Sequence, residues 1–261
     1  MNQGYPPSSD YPPENPPEMA QPRRVLVQPP QGQPIVTYAI LVIVILVYLS
    51  QMAAPYLFSG RDLPTLWGMK INELIVQGQF WRLITPVFLH GSVWHIAFNM
   101  YALLVFGPGL ERFYGHGRFL ALFFISGFAG NVMSFLFSSA PSLGSSTAIF
   151  GLLAGEAVFL YSNRNLFGAG AQGALINLLI VALANLFIGG ISPGIDNWGH
   201  IGGLVGGALF AWVAGPIMQI AGYAPNYSLV DERGSGDAWR AGIGVTALFV
   251  LLAAAGIYFR V

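Results

Sequence analysis

Residues 144–151 read Gly-Ser-Ser-Thr-Ala-Ile-Phe-Gly. A small polar knot opens here directly into an apolar helical run, Ala148–Tyr161. A serine in the first turn of such a helix serves as an N-cap for orphan backbone N–H groups. It serves equally well as a nucleophile, held beside those N–H groups at the positive end of the helix dipole. What the rest of the chain brings to the same depth decides between the two.

The setting is a membrane. Of 261 residues, 54% are hydrophobic and only 8% charged, against about 25% charged in an ordinary soluble domain. The composition is that of an all-α polytopic membrane protein. Formal net charge is zero, which removes the basic footprint a nucleic-acid partner requires. Cysteine is absent, so disulfides, thiolate metal sites and cysteine nucleophiles are excluded together. The first apolar run starts at Ile35 and lacks a small-residue cleavage site, so no cleaved signal peptide is expected.

Residues 1–34 hold ten of the 18 prolines. They cannot bury a core and are expected to form a disordered tail. Arg23 and Arg24 close it and point to a cytoplasmic N-terminus. Apolar segments follow at 35–53, 95–109, 117–138, 146–162, 173–190, 199–219 and 239–259. Each is read as a span, of the order of the ~20 residues that cross hydrocarbon. The expected organisation is a tail (1–34), a six-span core (35–219), and a linker with a seventh span (220–261) whose C-terminus lies outside. Seven arginines then fall inside and four basic residues outside, in keeping with the positive-inside rule. Residues 54–94 are read as a partly embedded connection with short amphipathic helices, because Trp67, Phe80, Trp81 and Trp94 suit the interface.

Segments 2, 4 and 6 all run from outside to inside, so their first turns share one depth. Segment 2 opens with His95 and Asn99, segment 4 with Ser145-Ser146, and segment 6 with Gly199-His200. Segment 4 is short, about 24 Å against about 30 Å of hydrocarbon. The irregular stretch 139–145 is therefore expected at membrane depth, where it must line a protein-enclosed cavity. Gly151 and Gly155 on segment 4, and Gly199, Gly203 and Gly207 on segment 6, are small-residue faces that allow close helix packing.

Ser146 with His200 reads as nucleophile and general base. The same pair reads as a cap and an interhelical hydrogen bond, and the two residues alone do not decide. His95 and Asn99 share a helix face at i and i+4, as an oxyanion hole with the Ser146 N–H or as a polar pair around internal water. Asp196 either orients His200 or is a loop residue. Phe150, one turn after Ser146, either stacks on His200 or packs in the core. Arg82 is expected to bind loop carbonyls and Glu111 to tie the turn between segments 2 and 3. Glu156 is read as structural. A metal site at His90, His95 and His200 is disfavoured by the lack of carboxylate or thiolate on those faces, and no cofactor is expected.

Taken together, the residues resemble the rhomboid intramembrane serine proteases. The matching stretches are Trp81-Arg82, His90, His95-Ile-Ala-Phe-Asn99, Glu111-Arg-Phe-Tyr-Gly115, Gly144-Ser-Ser146, Ala148-Ile-Phe-Gly151 and Gly199-His-Ile-Gly-Gly203-Leu-Val-Gly-Gly207. They run through residues 35 to about 219 in the family's order. The resemblance implies a six-helix bundle, here followed by a seventh segment, and a Ser146/His200 dyad without an acid. It also implies an oxyanion hole at His95 and Asn99, with Gly144 belonging to the nucleophile motif. One departure stands out: the family usually has glycine after the nucleophile, where this chain has Thr147. The implied activity is cleavage of peptide bonds in or near transmembrane segments of protein substrates. By resemblance, these enter near segments 2 and 5, under a loop at 190–198 freed by Gly189, Gly190 and Gly194. The rival readings are a catalytically inactive binder of transmembrane clients and, further off, a transporter. A bacterial plasma membrane is the expected location.

Overall fold

The computed structural model describes Met1, residues 27–223 and residues 225–260. Helix α1 (Ile35–Leu57) leads into a connection built from α2 (Leu63–Gly68), α3 (Asn72–Val76) and 3-10 turns at Phe80–Leu83 and Thr85–Phe88. Next comes the long α4 (Val93–Phe137), which is two limbs. Gly115 breaks it at φ 73°, ψ 161°, a conformation open to a residue without Cβ. The chain reverses there, and the limbs correspond to expected segments 2 and 3. After them come α5 (Ser146–Ser162), α6 (Arg164–Phe167), α7 (Ala169–Ile191), α8 (Asn197–Ala214) and α9 (Ser235–Tyr258).

Hydrogen bonds fix which ends lie together. At one end, Glu111 meets the start of α1, Arg118 pairs with Asp231, and Asn163 donates to the Pro216 carbonyl. At the other, Lys70 meets the end of α4, Asn131 donates to the Leu83 carbonyl, and His200 meets Ser146. The first turns of α4, α5 and α8 therefore share this second end, called here the Ser146 end. The core lies between these three helices. Phe119, Phe123 and Phe135 of the second α4 limb, Leu152 of α5 and Phe210 of α8 are fully buried in it. Helices α1 and α7 turn many apolar side chains outward, among them Leu46, Leu49, Leu179 and Leu183. Helices α1, α4, α7 and α9 are long and apolar enough to cross a membrane. Helix α5, with 17 residues, is about 25 Å long.

Three features differ from expectation. The chain is mostly helical, but it also carries a three-stranded sheet, β1 (Val27–Gln28), β2 (Met218–Tyr223) and β3 (Asn226–Asp231), in the order β1-β3-β2. Strands β2 and β3 are antiparallel from Met218↔Asp231 to Tyr223↔Asn226. They occupy what reads as the end of segment 6 and a linker. The helix stops at Ala214 rather than 219 because Pro216 has no N–H to continue it and disfavours helix just before itself. Second, Val27–Gln28 pairs in parallel with Tyr227 and Ser228, so two residues of the expected tail form a short strand. The disorder expected for residues 2–26 lies outside the described residues. Third, the connection contains 3-10 turns as well as short helices.

Candidate active site

The Ser146 site begins with the irregular stretch 138–145, which three elements hold in place. Lys70 and Ser142 exchange backbone hydrogen bonds of 3.0 and 3.2 Å. Gly144 donates its N–H to the Pro86 carbonyl at 2.9 Å. Ser145, fully buried, has its Oγ 3.1 Å from His90 Nε2. His90 is held in turn by Gln51 of α1, which accepts from its N–H and donates to its carbonyl. Helix α5 starts immediately after, with Ser146 as its first residue.

Ser146 Oγ lies 2.9 Å from His200 Nε2. His200 sits in the first turn of α8, where Asp196 is the N-cap and accepts from the Gly199 N–H at 3.0 Å. The His200 N–H donates to the Asp196 carbonyl at 3.1 Å, but the Asp196 carboxylate makes no hydrogen bond to the imidazole, whose Nδ1 is buried without a partner among the described residues. The Phe150 ring stacks on the imidazole at 4.2 Å and 8°. Imidazole orientation thus comes from Ser146 on one side and an aromatic face on another, without a carboxylate.

Close helix packing makes the pair reachable. A Cβ on Gly203 would stand 2.0 Å from the Thr147 carbonyl oxygen, and one on Gly207 2.5 Å from the Gly151 carbonyl oxygen. Only hydrogen fits at either place. Thr147, where a glycine is usual in the resembled family, occupies room left by two glycines. A Cβ on Gly130 would lie 2.6 Å from Thr147 Cβ, and one on Gly199 3.0 Å from its Cγ2.

His95 faces the same place. A Cβ on Gly144 would come within 2.7 Å of His95 Nε2 and 3.7 Å of Ser146 Oγ. Gly144 has φ 132°, which a side chain rarely adopts. Glycine is required there twice over. Asn99 Nδ2 donates to the His95 carbonyl at 2.9 Å, leaving its second N–H for another acceptor. His95, Asn99, Ser146 and His200 line one cavity of about 530 Å³ with Asn131, Asn185 and the loop Pro193–Asp196. Its polar groups converge on Ser146, and apolar Phe98, Leu143 and Ile188 form part of its wall.

Other singled-out residues lie away from this cluster. Arg82 donates to the Met69 and Leu66 carbonyls at 2.6 and 2.8 Å and to Gln79, pinning the connection. Glu111 accepts from Val36 N, Thr37 N and Thr37 Oγ1, and from His116. It therefore caps the start of α1 as well as bracing the turn between the limbs. Glu156 is ten residues along α5, about 15 Å from Ser146. Reading the sequence missed the Ser145–His90 contact and the role of Lys70, which counts there only as an outer charge. No local pattern marks either, because each partner is a remote backbone or side-chain group.

Comparison with known proteins places this chain among similar sequences. The family model of the Rhomboid domain matches residues 77–217. Rhomboid protease GluP of Bacillus subtilis (strain 168) is 44% identical over 149 residues, covering 57% of this chain and 29% of that protein. RHOMBOID-like protein 9, chloroplastic, of Arabidopsis thaliana is 34% identical, over 61% of this chain and 37% of its own length. Putative rhomboid protease YdcA of Bacillus subtilis (strain 168) is 33% identical, over 69% of this chain and 88% of its own. The chain thus spans well under half of the first two relatives and most of the third.

Proposed function

This chain belongs to the rhomboid family of integral, multi-pass helical membrane proteins, and from that premise we propose that it is an intramembrane serine endopeptidase. The observation that carries the reading is the 2.9 Å approach of Ser146 Oγ to His200 Nε2, inside a cavity with further hydrogen-bond donors. A serine hydroxyl is a weak nucleophile and needs a base within such reach. His200 Nε2 takes the Oγ proton as Oγ attacks a substrate carbonyl carbon. The resulting oxyanion is held by the Ser146 N–H at the start of α5, His95 Nε2–H and the second Asn99 N–H. His200 then gives its proton to the leaving amine, and a water molecule, activated by the same imidazole, releases the acyl group from Ser146.

The substrates are transmembrane segments of other proteins, since the site opens on a bundle whose outer faces are apolar. The N-terminus lies in the cytoplasm and the Ser146 end toward the outside of a plasma membrane of bacterial type. This orientation leaves the exposed Arg112 and Arg164, with Arg118 and Arg233, at the inner end. The core is residues 35–219, with α9 as a seventh span.

Purified protein in lipid vesicles tests the reading through cleavage of a model transmembrane substrate and labelling by a serine-reactive fluorophosphonate. Wild type should cleave and be labelled, while Ser146→Ala and His200→Ala should do neither. Cleavage by Ser146→Ala at the wild-type rate would overturn the assignment. Wild type that neither cleaves nor labels would favour a catalytically inactive binder of transmembrane clients.

A further inference from the structure

The second α4 limb ends at Phe137, and the last carbonyls of a helix have no partner within it. Here they are gathered by side chains from two remote parts of the chain. Lys70 Nζ donates to the Ser134, Ser138 and Ala140 carbonyls at 3.3, 3.0 and 2.9 Å. Asn72 Nδ2 donates to the Phe135 and Ser138 carbonyls at 3.3 and 2.8 Å. Arg260, beyond the end of α9, donates to the Leu136 carbonyl at 3.1 Å. Its guanidinium also sits 4.7 Å over the Phe135 ring. Helix α9 reaches this point at close range, for a Cβ on Gly256 would stand 2.4 Å from Leu136 Cδ2.

Lys70 is fully buried, and among the described residues its ammonium hydrogen-bonds only to carbonyls. A buried cation with no carboxylate hydrogen-bonded to it is costly. What offsets that cost is the negative end of the helix dipole together with three acceptors. The Lys70 backbone meanwhile holds Ser142 on both sides. One residue therefore grips both the helix end and the strand-like stretch that runs into Gly144, Ser145 and Ser146. From Ser138 to Ser142 the chain has few other anchors.

We infer that Lys70, Asn72 and Arg260 form a clamp on the end of α4 that holds residues 138–142 and so positions the Ser146 nucleophile. Arg260 gives α9 a part in this site although it contributes no side chain to the cavity. Among the described residues none of the three hydrogen-bonds to Ser146 or His200, and each acts through the backbone it holds. The clamp stands on geometry alone, whereas its effect on turnover rests on the protease reading.

Hydrogen–deuterium exchange and fluorophosphonate labelling of the full chain, carried out on the same samples, separate the two. Arg260 is exposed, so Arg260→Ala keeps the fold even where Lys70→Met does not. Exchange of amides 138–146 should speed by about tenfold in Arg260→Ala, and more in Lys70→Met, with the rest of α5 unchanged. Arg260→Lys should restore slow exchange. Labelling and kcat should fall by about tenfold with KM near wild type, because a nucleophile displaced by less than 1 Å loses alignment without losing substrate contacts. Wild-type exchange over 138–146 in Arg260→Ala would overturn the clamp. Faster exchange with undiminished labelling would overturn its link to Ser146. A wild type that is neither labelled nor active refutes the protease reading, while the exchange result still decides the clamp.

Discussion

Adding one methyl group at Gly203 should disable the proposed site without altering Ser146 or His200. A Cβ there would lie 2.0 Å from the Thr147 carbonyl oxygen, and ordinary contact begins at 3.4 Å. Relief therefore demands that α8 move from α5 by about 1.4 Å, the difference between those two distances. The obstacle is backbone, so no rotamer change avoids it. His200 lies three residues before Gly203 and rides on the same helix. If the whole shift falls along the hydrogen bond, the Ser146–His200 separation grows from 2.9 Å to about 4.3 Å, beyond proton-transfer reach. A misplacement of about 1 Å is enough for a loss of about 10²-fold. Gly203→Ala should thus reduce fluorophosphonate labelling and substrate cleavage by about that factor or more. Overpacking should also lower stability by about 1–3 kcal/mol. Gly173→Ala is the matched control, since a Cβ there meets nothing within 4 Å. Gly203→Ala labelled within about twofold of wild type would refute the reasoning, because the helices would then be able to separate without parting the dyad.

Other perturbations test other links. Phe150→Ala removes the ring stacked on His200 and leaves a cavity, so it should cost about 3–5 kcal/mol of stability and slow labelling. Phe150→Tyr at wild-type speed alongside a slowed Phe150→Ala would locate the effect in the stack. Glu111→Ala strips four hydrogen bonds from the start of α1 and from His116. It should lower stability by about 3 kcal/mol in thermal unfolding, on the scale for breaking a buried charged network, while leaving the labelling rate of the folded fraction intact. Stability should also depend on pH through two groups in the connection. Burial, with His95 nearby, pushes the His90 imidazole down from 6.5 to about 3. Between those values the unfolded chain binds a proton that the folded chain refuses. Stability should therefore fall as pH drops through 6.5 toward 3, and His90→Asn should flatten that slope. Burial likewise lowers the Lys70 ammonium from 10.5 to about 8, against the partial support of Asp196. Stability should rise as pH goes from about 8 to 10.5, and Lys70→Met should abolish the rise.

The sequence by itself determined the helical membrane class, the approximate segments, and the candidate residues for the proposed chemistry. These are properties of composition and spacing. Long apolar runs are legible because hydrocarbon demands about 20 residues at a time. The glycines of α5 and α8 are legible because close packing in lipid demands small residues at every fourth place. The three first turns fall at one depth because alternating spans must reverse direction. Even the Gly215–Pro216 pair was a readable stop for α8, masked only by the apolar residues that run on beyond it.

Only the tertiary structure decided what holds Ser146 and its surroundings. Ser145 finds His90, Glu111 finds the N–H groups of Val36 and Thr37, and Lys70 and Arg260 find carbonyls at the end of α4. Most of these partners are backbone groups. Every residue carries such a group, so no residue type announces which one is unpaired. The β2–β3 hairpin and its strand partner Val27–Gln28 escaped for a related reason. A strand pair gains its hydrogen bonds from a remote segment, and six residues hold too little pattern to declare it. Ser146 was visible as a candidate because its type and its place at a helix start are local facts. That it could reach His200 followed from the glycine faces, but the 2.9 Å distance itself depends on α5 and α8 meeting backbone to backbone at Gly203.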